Sequence, residues 1–291
     1  MRLDDKEPSS NVEDRRGQGG FGRGGVRIPI GRGGGGIGIG TIIILGILWL
    51  VFGINPLEML SRGFAPQQQE MPQQTQTQPG VPASDEWAQF AAKVLGTTET
   101  TWDKIFQEQL NRQYDHPRLV LFSGYVQSAC GMAQSAMGPF YCPRDQKVYL
   151  DLSFFQDMRA RLGAGGDFAY AYVIAHEVGH HVQNLLGIAD KVTAARMRSS
   201  QVESNQLSVM MELQADCFAG VWARDNQDLL EEGDVEEAIG AALAIGDDRL
   251  QKRSQGYVVP ENFTHGSSEQ RASWLKRGMQ TGNIAACDTF R

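Results

Sequence analysis

The sequence predicts an α+β protein, mainly helical with a small sheet, whose folded domain follows one N-terminal transmembrane helix. Three observations predict this class. An uncharged run lies near the N-terminus, two strand-like segments follow it, and the remainder of the chain has helical periodicity. Strands that precede a long helical part, instead of alternating with helices, favour α+β over α/β architecture.

Length and composition fit one domain with appendages. The chain has 291 residues, of which 41% are hydrophobic and 21% charged, and its net charge is −7. This acidic balance argues against a nucleic-acid-binding protein, which needs a basic surface. The N-terminal segment differs, because it contains five arginines and no acid between Arg15 and Arg32. Such a Gly/Arg segment also suits RNA contact, but membrane topology already explains the arginines.

The uncharged run extends from Ile37 to Ile54 and carries Trp49 near one end. Its eighteen residues are just enough to cross the hydrocarbon layer of a membrane. A buried core helix is disfavoured by the Gly-rich and Gln/Pro-rich flanks, and a cleaved signal peptide by the late start and the lack of an A-x-A site. Seven Lys and Arg residues precede the run. The positive-inside rule therefore predicts a cytoplasmic N-terminus and an external domain.

These features divide the chain into four parts. We expect a disordered cytoplasmic segment in residues 1–36, the transmembrane helix in 37–54, a linker in 55–84 and the folded domain in 85–291. The linker is rich in Gln and Pro and has almost no large apolar residues after its first part, so it cannot form a core.

The early part of the domain combines helices and strands. Ser84 or Asp85 is a suitable N-cap for a first helix, and a second helix is expected to end at Leu110. Segments 119–126 and 147–155 are rich in β-branched and aromatic residues and predict strands.

Four cysteines form an even set without close C-x-x-C pairs, which disfavours a zinc ribbon. They are Cys130, Cys142, Cys217 and Cys287. In an oxidising compartment two disulfides are expected, and a 130–142 pair would close a short loop while a 217–287 pair would attach the C-terminus. The sequence leaves this connectivity open, and buried free thiols are the alternative.

An H-E-x-x-H pattern lies on a helix framed by Asp167 and Gly187. His176 and His180 are about 40° apart and about 6 Å along the helix axis, so both rings can reach one metal ion. In a hydrolytic site of this type, two neutral imidazoles and a third protein ligand hold zinc, and an open position binds water. Glu177 lies one step round the helix, where it can act as the base. The opposite, core-facing stripe consists of Ile174, Val178, Val182 and Leu185.

A second helix supplies the predicted third ligand. Glu212 and Asp216 are four residues apart and share one helix face, which otherwise carries small residues that allow close packing. We expect Glu212 to bind zinc and Asp216 to accept the spare N–H of a ligand histidine, with His176 favoured. A solvated face is disfavoured, because Met211 and Leu213 beside these carboxylates would make unpaired charge costly.

Two residues are candidates for stabilising a transition-state oxyanion, which needs a donor or cation opposite the metal. His265 is the better candidate and Arg271 the weaker one. A plain loop histidine is the alternative interpretation of His265. His181 points away from the metal and is expected either to contact a ligand from behind or to be structural, and His116 in YDHP is expected to lie in a turn.

The chain resembles the bacterial neutral zinc metallopeptidase family over nearly its whole length. The resemblance lies in NVEDRRG, GPFYCPRDQKVYLDLSFF, AHEVGHHVQ, ELQADCFAGVWA and FTHGSSEQRASWLKRG. It implies a single-pass, zincin-like protein of gluzincin type, with His176, His180 and Glu212 as zinc ligands and Glu177 as catalytic base. Zincins also bind substrate along an edge strand. By that analogy, residues 148–152 would line the cleft.

The expected function is that of a membrane-anchored zinc endopeptidase of the bacterial inner membrane, with its catalytic domain in the periplasm or otherwise outside the cytoplasm. Its expected partners are a protein or peptide substrate, from envelope or unfolded proteins, and the lipid bilayer, but no nucleic acid. Two alternatives stay open: a non-enzymatic envelope scaffold stabilised by zinc, and a zinc amidase that acts on cell-wall peptides.

Overall fold

A computed structural model describes residues 1–18 and 81–290 of the protein. The strands are β1 (Val12–Asp14), β2 (Arg118–Phe122), β3 (Tyr125–Ser128), β4 (Gly131–Gln134), β5 (Phe140–Cys142) and β6 (Lys147–Asp151). The helices are α1 (Glu86–Leu110), α2 (Ser153–Asp157), α3 (Asp167–Leu185), α4 (Ile188–Arg196), α5 (Gln201–Asp225), α6 (Asp234–Ala244), α7 (Asp247–Gln255) and α8 (Ser268–Thr281). This composition, mostly helical with a small sheet, confirms the predicted α+β class.

The main sheet has the strand order β1-β2-β6-β5. Strands β1, β2 and β6 are parallel to one another, and β5 runs antiparallel to β6. Strand β6 is therefore internal, and the expectation that residues 148–152 form a substrate-binding edge is wrong. In the described part of the chain, β5 is the edge on that side. Strands β3 and β4 form a separate two-stranded antiparallel sheet.

Helix α1 is a single 25-residue helix, whereas two shorter helices were expected. It begins at the expected N-cap, since the Asp85 carboxylate accepts a hydrogen bond from the Ala88 amide. Gly96 lies in its middle, and a Cβ atom there would be 3.0 Å from the Glu7 carbonyl oxygen. The glycine thus allows the N-terminal segment to cross the helix closely and does not mark a break.

Residues 1–18 are folded against the rest of the protein. Met1, Leu3 and Val12 are buried in the main hydrophobic core. Val12 of β1 pairs with Leu119 of β2. The expectation of a disordered cytoplasmic segment is therefore wrong for these residues. A three-residue strand has too little periodicity to be recognised, and the remainder of segment 1–36 lies outside the described residues.

The expected membrane topology is also wrong. In residues 1–18 and 81–290 no helix is long and apolar enough to cross a membrane, and the run 37–54 lies outside the described residues. The residues before and after that run belong to one folded unit, because β1 and β2 share a sheet. A single crossing would separate these strands by a bilayer. The description as a single-pass inner-membrane protein with a cytoplasmic N-terminus is therefore overturned.

Helix α5 is the central element of the helical part, because α3 and α8 both pack closely on it. Gly179 of α3 faces Ala215 of α5, where an added Cβ would be 3.0 Å from the Ala215 carbonyl oxygen. Gly278 of α8 approaches even more closely, since an added Cβ would be 2.0 Å from the Cys217 carbonyl oxygen. These glycine contacts bring the side chains of three helices into one small volume.

Candidate metal centre

The three predicted ligands converge between α3 and α5. The candidate ligand atoms of His176, His180 and Glu212 all lie within 4.8 Å of one another. His176 Nε2 is 3.1 Å from Glu212 Oε2, and His180 Nε2 is 3.5 Å from Glu212 Oε1. Ligand atoms of a tetrahedral zinc site with bonds near 2.0–2.1 Å are about 3.3 Å apart. The donor set, two imidazole nitrogens and one carboxylate oxygen, therefore fits zinc in both chemistry and spacing.

The electrostatics of this cluster favour positive charge. Burial disfavours an imidazolium, but the charge of Asp216 and the hydrogen bonds to Asp216 and Glu212 raise the pKa of His176 to about 9. Burial likewise opposes protonation of His180, whose pKa is nevertheless raised by the charge of Glu212. The histidines in turn hold the pKa of Glu212 well below its usual value, against the effect of burial. Such a pocket suits a cation between the three side chains.

Asp216 holds His176 from behind. The Nδ1–H of His176 donates to Asp216 Oδ1 at 2.8 Å, so that Nε2 is the nitrogen that faces Glu212. Asp216 is fully buried and also accepts a hydrogen bond of 2.6 Å from the Tyr172 hydroxyl. This carboxylate–histidine pair is the arrangement that orients a ligand histidine in many zinc sites. Asp216 thus contacts His176, the histidine that was predicted as its partner.

Arg271 contacts Asp216 and also lies near two candidate ligands, because its Nη2 is 3.4 Å from His176 Nδ1 and 4.0 Å from Glu212 Oε2. Its Nε and Nη2 atoms both donate to Asp216 at 2.9 Å, and its side chain is only 3% exposed. Burial lowers the pKa of the Arg271 guanidinium. The charge of Asp216 outweighs this effect of burial and keeps the pKa of Arg271 well above its ordinary value. The two hydrogen bonds of Arg271 therefore hold the carboxylate that supports His176.

Glu177 follows His176 in the sequence and is 8% exposed. Burial raises the pKa of its carboxyl above the ordinary value, although the charges of His180 and His176 oppose this effect. A buried carboxylate with a raised pKa is a better proton acceptor than an exposed one. Its position and environment suit a general base.

His265 lies in the loop before α8, and its side chain is 52% exposed. Its Nδ1 is 3.2 Å from Asp247 Oδ1. Burial disfavours its protonation, but the hydrogen bond to Asp247 and the charge of Glu212 raise the pKa of His265. Asp247 also accepts backbone hydrogen bonds from Thr264, His265 and Gly266, so it shapes this loop. Asp247 was not predicted, because a carboxylate at a helix start has no specific sequence signal.

The remaining histidines have structural contacts. His181 is fully buried; its Nε2–H donates to the Asp115 carbonyl oxygen at 2.6 Å, and its Nδ1 accepts from the Tyr141 hydroxyl at 2.9 Å. Burial lowers the pKa of His181 to about 4, so it is neutral near pH 7. His116 Nε2 lies 3.0 Å from Asp103 Oδ2.

Both expected cysteine pairs are present as disulfides, Cys130–Cys142 and Cys217–Cys287. The first joins the β3–β4 hairpin region to β5. The second joins α5 to a 3₁₀ segment, Ile284–Cys287, near the C-terminus. Disulfides of this kind form in oxidising environments.

The fold and the cluster together define a protein whose H-E-x-x-H helix and a neighbouring helix bring three candidate metal ligands together. A family model described as "Putative neutral zinc metallopeptidase" matches residues 1–290. The chain belongs to this family, and membership implies zinc as its cofactor.

Two relatives illustrate the extent of the similarity. The protein named "Uncharacterized protein YpfJ" of Escherichia coli strain K12 is 51% identical over 297 residues, which cover 100% of this chain and 99% of the relative. The protein named "Uncharacterized protein Rv2575" of Mycobacterium tuberculosis strain H37Rv is 44% identical over 190 residues, which cover 61% of this chain and 63% of the relative. No solved structure matches the chain.

Proposed function

We propose that this protein is a zinc-dependent peptidase in which His176, His180 and Glu212 bind the metal and Glu177 is the general base. The observation that carries the proposal is the convergence of three donor atoms within 4.8 Å beside a buried carboxylate. A purely structural zinc site is normally closed by four protein ligands. Three donors in the described cluster, with a base next to them, favour a hydrolytic site.

The proposed mechanism divides the work among the chain's own side chains. When bound, zinc supplies a Lewis acid that makes water acidic enough to lose a proton near neutral pH. Glu177 accepts that proton as the water oxygen attacks the peptide carbonyl, and then donates it to the leaving amine. Asp216 keeps the proton of His176 on Nδ1, which leaves Nε2 free to bind the metal.

His265 is the proposed donor to the oxyanion, because it is exposed at the rim of the cluster and within electrostatic reach of Glu212. Asp247 holds its Nδ1, so that Nε2 points elsewhere and is available to substrate. Arg271 was the weaker candidate for this role. Its two hydrogen bonds to the buried Asp216 instead support a positioning role behind His176.

The proposed substrate is a protein or peptide that binds as an added strand along β5, in a zincin-like arrangement. In the described part of the chain, β5 pairs with β6 on one side only. Tyr141 of β5 contacts the H-E-x-x-H helix, since its hydroxyl is 2.9 Å from His181 Nδ1 and accepts from Asn184 Nδ2 at 3.1 Å. A strand bound along β5 would therefore pass close to the helix that carries the ligands.

The proposal is tested with the purified full chain, unfolded casein and Glu177→Gln. We expect the wild-type protein to contain about one zinc ion per chain, to lose cleavage with a chelator and to regain it with zinc. Glu177→Gln should keep its zinc and lose roughly 100- to 10,000-fold in cleavage rate, which is the usual contribution of general base catalysis.

Glu269→Gln is the matched control, because Glu269 is an exposed carboxylate on α8. It should cleave casein at the wild-type rate. Equal cleavage by Glu177→Gln and wild type would eliminate Glu177 as the base. A wild-type protein that binds no zinc would eliminate the metal site itself.

A further inference from the structure

The two ligand histidines are supported differently on the side that faces away from the metal. His176 Nδ1 contacts the carboxylate of Asp216, as described above. His180 Nδ1 lies 2.8 Å from Gln183 Oε1. A side-chain amide is a neutral and ambiguous partner, because its oxygen accepts and its nitrogen donates. Whether Gln183 fixes the proton of His180 therefore depends on what fixes the amide.

Two contacts determine the orientation of the Gln183 amide. Its Nε2 donates to the Met211 carbonyl oxygen at 2.7 Å and to Gln214 Oε1 at 3.1 Å. A backbone carbonyl can only accept, so the nitrogen of Gln183 must face it and the oxygen must face His180. The ring nitrogen opposite that oxygen must then carry the proton. His180 is thereby held with N–H at Nδ1 and a free lone pair at Nε2, the atom beside Glu212.

A second glutamine extends this chain of hydrogen bonds. Gln214 Nε2 donates to the Cys287 carbonyl oxygen at 3.0 Å, which turns Gln214 Oε1 toward Gln183. Gln183 is fully buried and Gln214 is 4% exposed. All donors therefore point in one direction, from His180 through two amides to a backbone carbonyl near the C-terminus. A reversed amide at either position would put two acceptors or two donors face to face in a buried site, which is costly.

The far end of this series of hydrogen bonds, the Cys287 carbonyl, is held in place by a covalent bond. Cys287 is buried and forms a disulfide with Cys217, which lies on α5 three residues after Gln214. The Thr289 hydroxyl donates to the Met210 carbonyl oxygen at 2.7 Å, so the segment around Cys287 follows α5 along its length. The disulfide therefore keeps the Cys287 carbonyl opposite Gln214.

We propose that Gln183 and Gln214 are positioning residues of the metal site, which fix the tautomer of His180, and that the Cys217–Cys287 disulfide anchors this relay. The proposal rests on His180 being a zinc ligand. Zinc needs the lone pair on Nε2, so a histidine free to place its proton on either nitrogen binds the metal less tightly. Outer partners of ligand histidines commonly change metal affinity by about 10- to 100-fold.

The first test measures the tautomer of His180 without metal. Long-range ¹H–¹⁵N NMR of the imidazole is recorded for the wild-type full chain and for Gln183→Met, at a pH where the ring is neutral. We expect protonated Nδ1 in the wild type and a mixture of both tautomers in Gln183→Met, which keeps the side-chain length. Gln206→Met is the matched control, because it removes an exposed amide from the same helix, α5, as Gln214. The same tautomer in Gln183→Met as in the wild type would overturn the relay.

The second test measures zinc affinity by competition with a chromogenic chelator. Gln183→Met should raise the zinc Kd by about 10- to 100-fold. Gln214→Met should raise it less, because Gln183 keeps its bond to Met211. Replacing both Cys217 and Cys287 by alanine should also raise the Kd, whereas the paired replacement of Cys130 and Cys142 should not. Equal zinc affinity in wild type, Gln183→Met and the 217/287 pair would refute the proposal.

The two tests distinguish this proposal from the proposed function. A wild-type chain that binds no zinc contradicts the metal site, and the tautomer measurement still decides whether the relay exists. If the 217/287 pair does not fold, as judged by circular dichroism, Gln214→Met takes its place as the test of the far end. Wild-type affinity and an unchanged tautomer in Gln214→Met would then exclude the part of the relay beyond Gln183.

Discussion

Asp216 is the residue on which the support of His176 depends. It accepts hydrogen bonds from Tyr172, from His176 and from two nitrogens of Arg271, while it is fully buried. Burial alone would raise the pKa of this carboxyl, but the charges of Arg271 and His176 lower it, so Asp216 is ionised. A buried charge of this kind is tolerated only because its partners are all present.

Arg271→Leu is expected to destabilise the fold strongly. The substitution leaves Asp216 buried without its guanidinium, and breaking a buried ion pair by removing one partner costs about 3–5 kcal/mol. Urea unfolding of the purified protein measures this change. Lys276→Leu on the same helix is the control, because Lys276 is exposed and its loss should change the unfolding free energy little. A wild-type unfolding midpoint in Arg271→Leu would show that the pair is not needed for stability.

His265→Ala is expected to affect catalysis and not zinc binding. The loss of one oxyanion donor typically lowers kcat by about 100- to 1000-fold, and the half-exposed His265 should fall at the low end of that range. Casein cleavage and zinc content are measured on the same preparation. An equal loss of zinc and of cleavage would identify His265 as a structural residue instead.

At the level of elements, the contact between α5 and α8 is made possible by glycine. Gly220 and Gly278 lie where the two backbones meet, and Cβ atoms there would be 2.2 Å and 2.0 Å from backbone carbonyl oxygens. The backbones of the two helices are therefore in direct contact at these glycines. This contact carries Arg271 to Asp216.

Gly278→Ala is expected to push α8 away from α5, because the new methyl group would overlap the Cys217 carbonyl oxygen. Overpacking of a core usually costs about 1–3 kcal/mol, and a clash with backbone should lie at or above the top of that range. Gly240→Ala in α6 is the control, since no atom lies within 4 Å of its added Cβ. That change should stabilise by about 0.5–1 kcal/mol, as expected for a helix interior. Thermal unfolding of both variants decides whether close packing or helix propensity dominates.

Local patterns predicted the elements of the site but not their arrangement. The four-residue spacings of His176 with His180 and of Glu212 with Asp216 are visible in the sequence, because residues four apart share one helix face. The role of Arg271 could not be seen, since it depends on how α8 crosses α5. Gln183 was also missed as a partner of His180, because its orientation is set by Met211 and Gln214, which belong to another helix.

At the level of the whole molecule, the N-terminal segment is part of the domain. Glu13 of β1 forms ion pairs with Lys147 at 2.8 Å and with Arg118 at 3.2 Å, so it connects β1 with β2 and β6. Charge and composition instead predicted a disordered cytoplasmic segment, because the arginines between residues 15 and 32 resemble the basic flank of a transmembrane helix. Sequence composition records no pairing between segments, and the pairing of Val12 with Leu119 is visible only in three dimensions.

The contribution of Glu13 to stability should depend on pH. Burial would raise its pKa, but the hydrogen bonds to Lys147 and Arg15 lower it to about 2 from 4.5. Because the folded pKa is depressed, the stabilisation is fully present above pH 4.5 and is lost as the pH falls towards 2. Glu13→Gln should therefore unfold at a lower urea concentration than wild type at pH 7, and this difference should shrink below pH 4.5. The exposed Glu7→Gln should show no such trend, and a constant difference would contradict the ion-pair explanation.

The pairing of β1 with β2 also constrains the order of events during biosynthesis. The ribosome makes β1 about one hundred residues before β2, and at about 5–20 residues per second β1 waits for roughly 5–20 s without its partner. Strand β1 is short, and its edge is unpaired during that time. The sheet can close only after this long-range contact forms, and contacts between distant residues slow folding. The last part of the fold to be completed is therefore expected to include the part that was synthesised first.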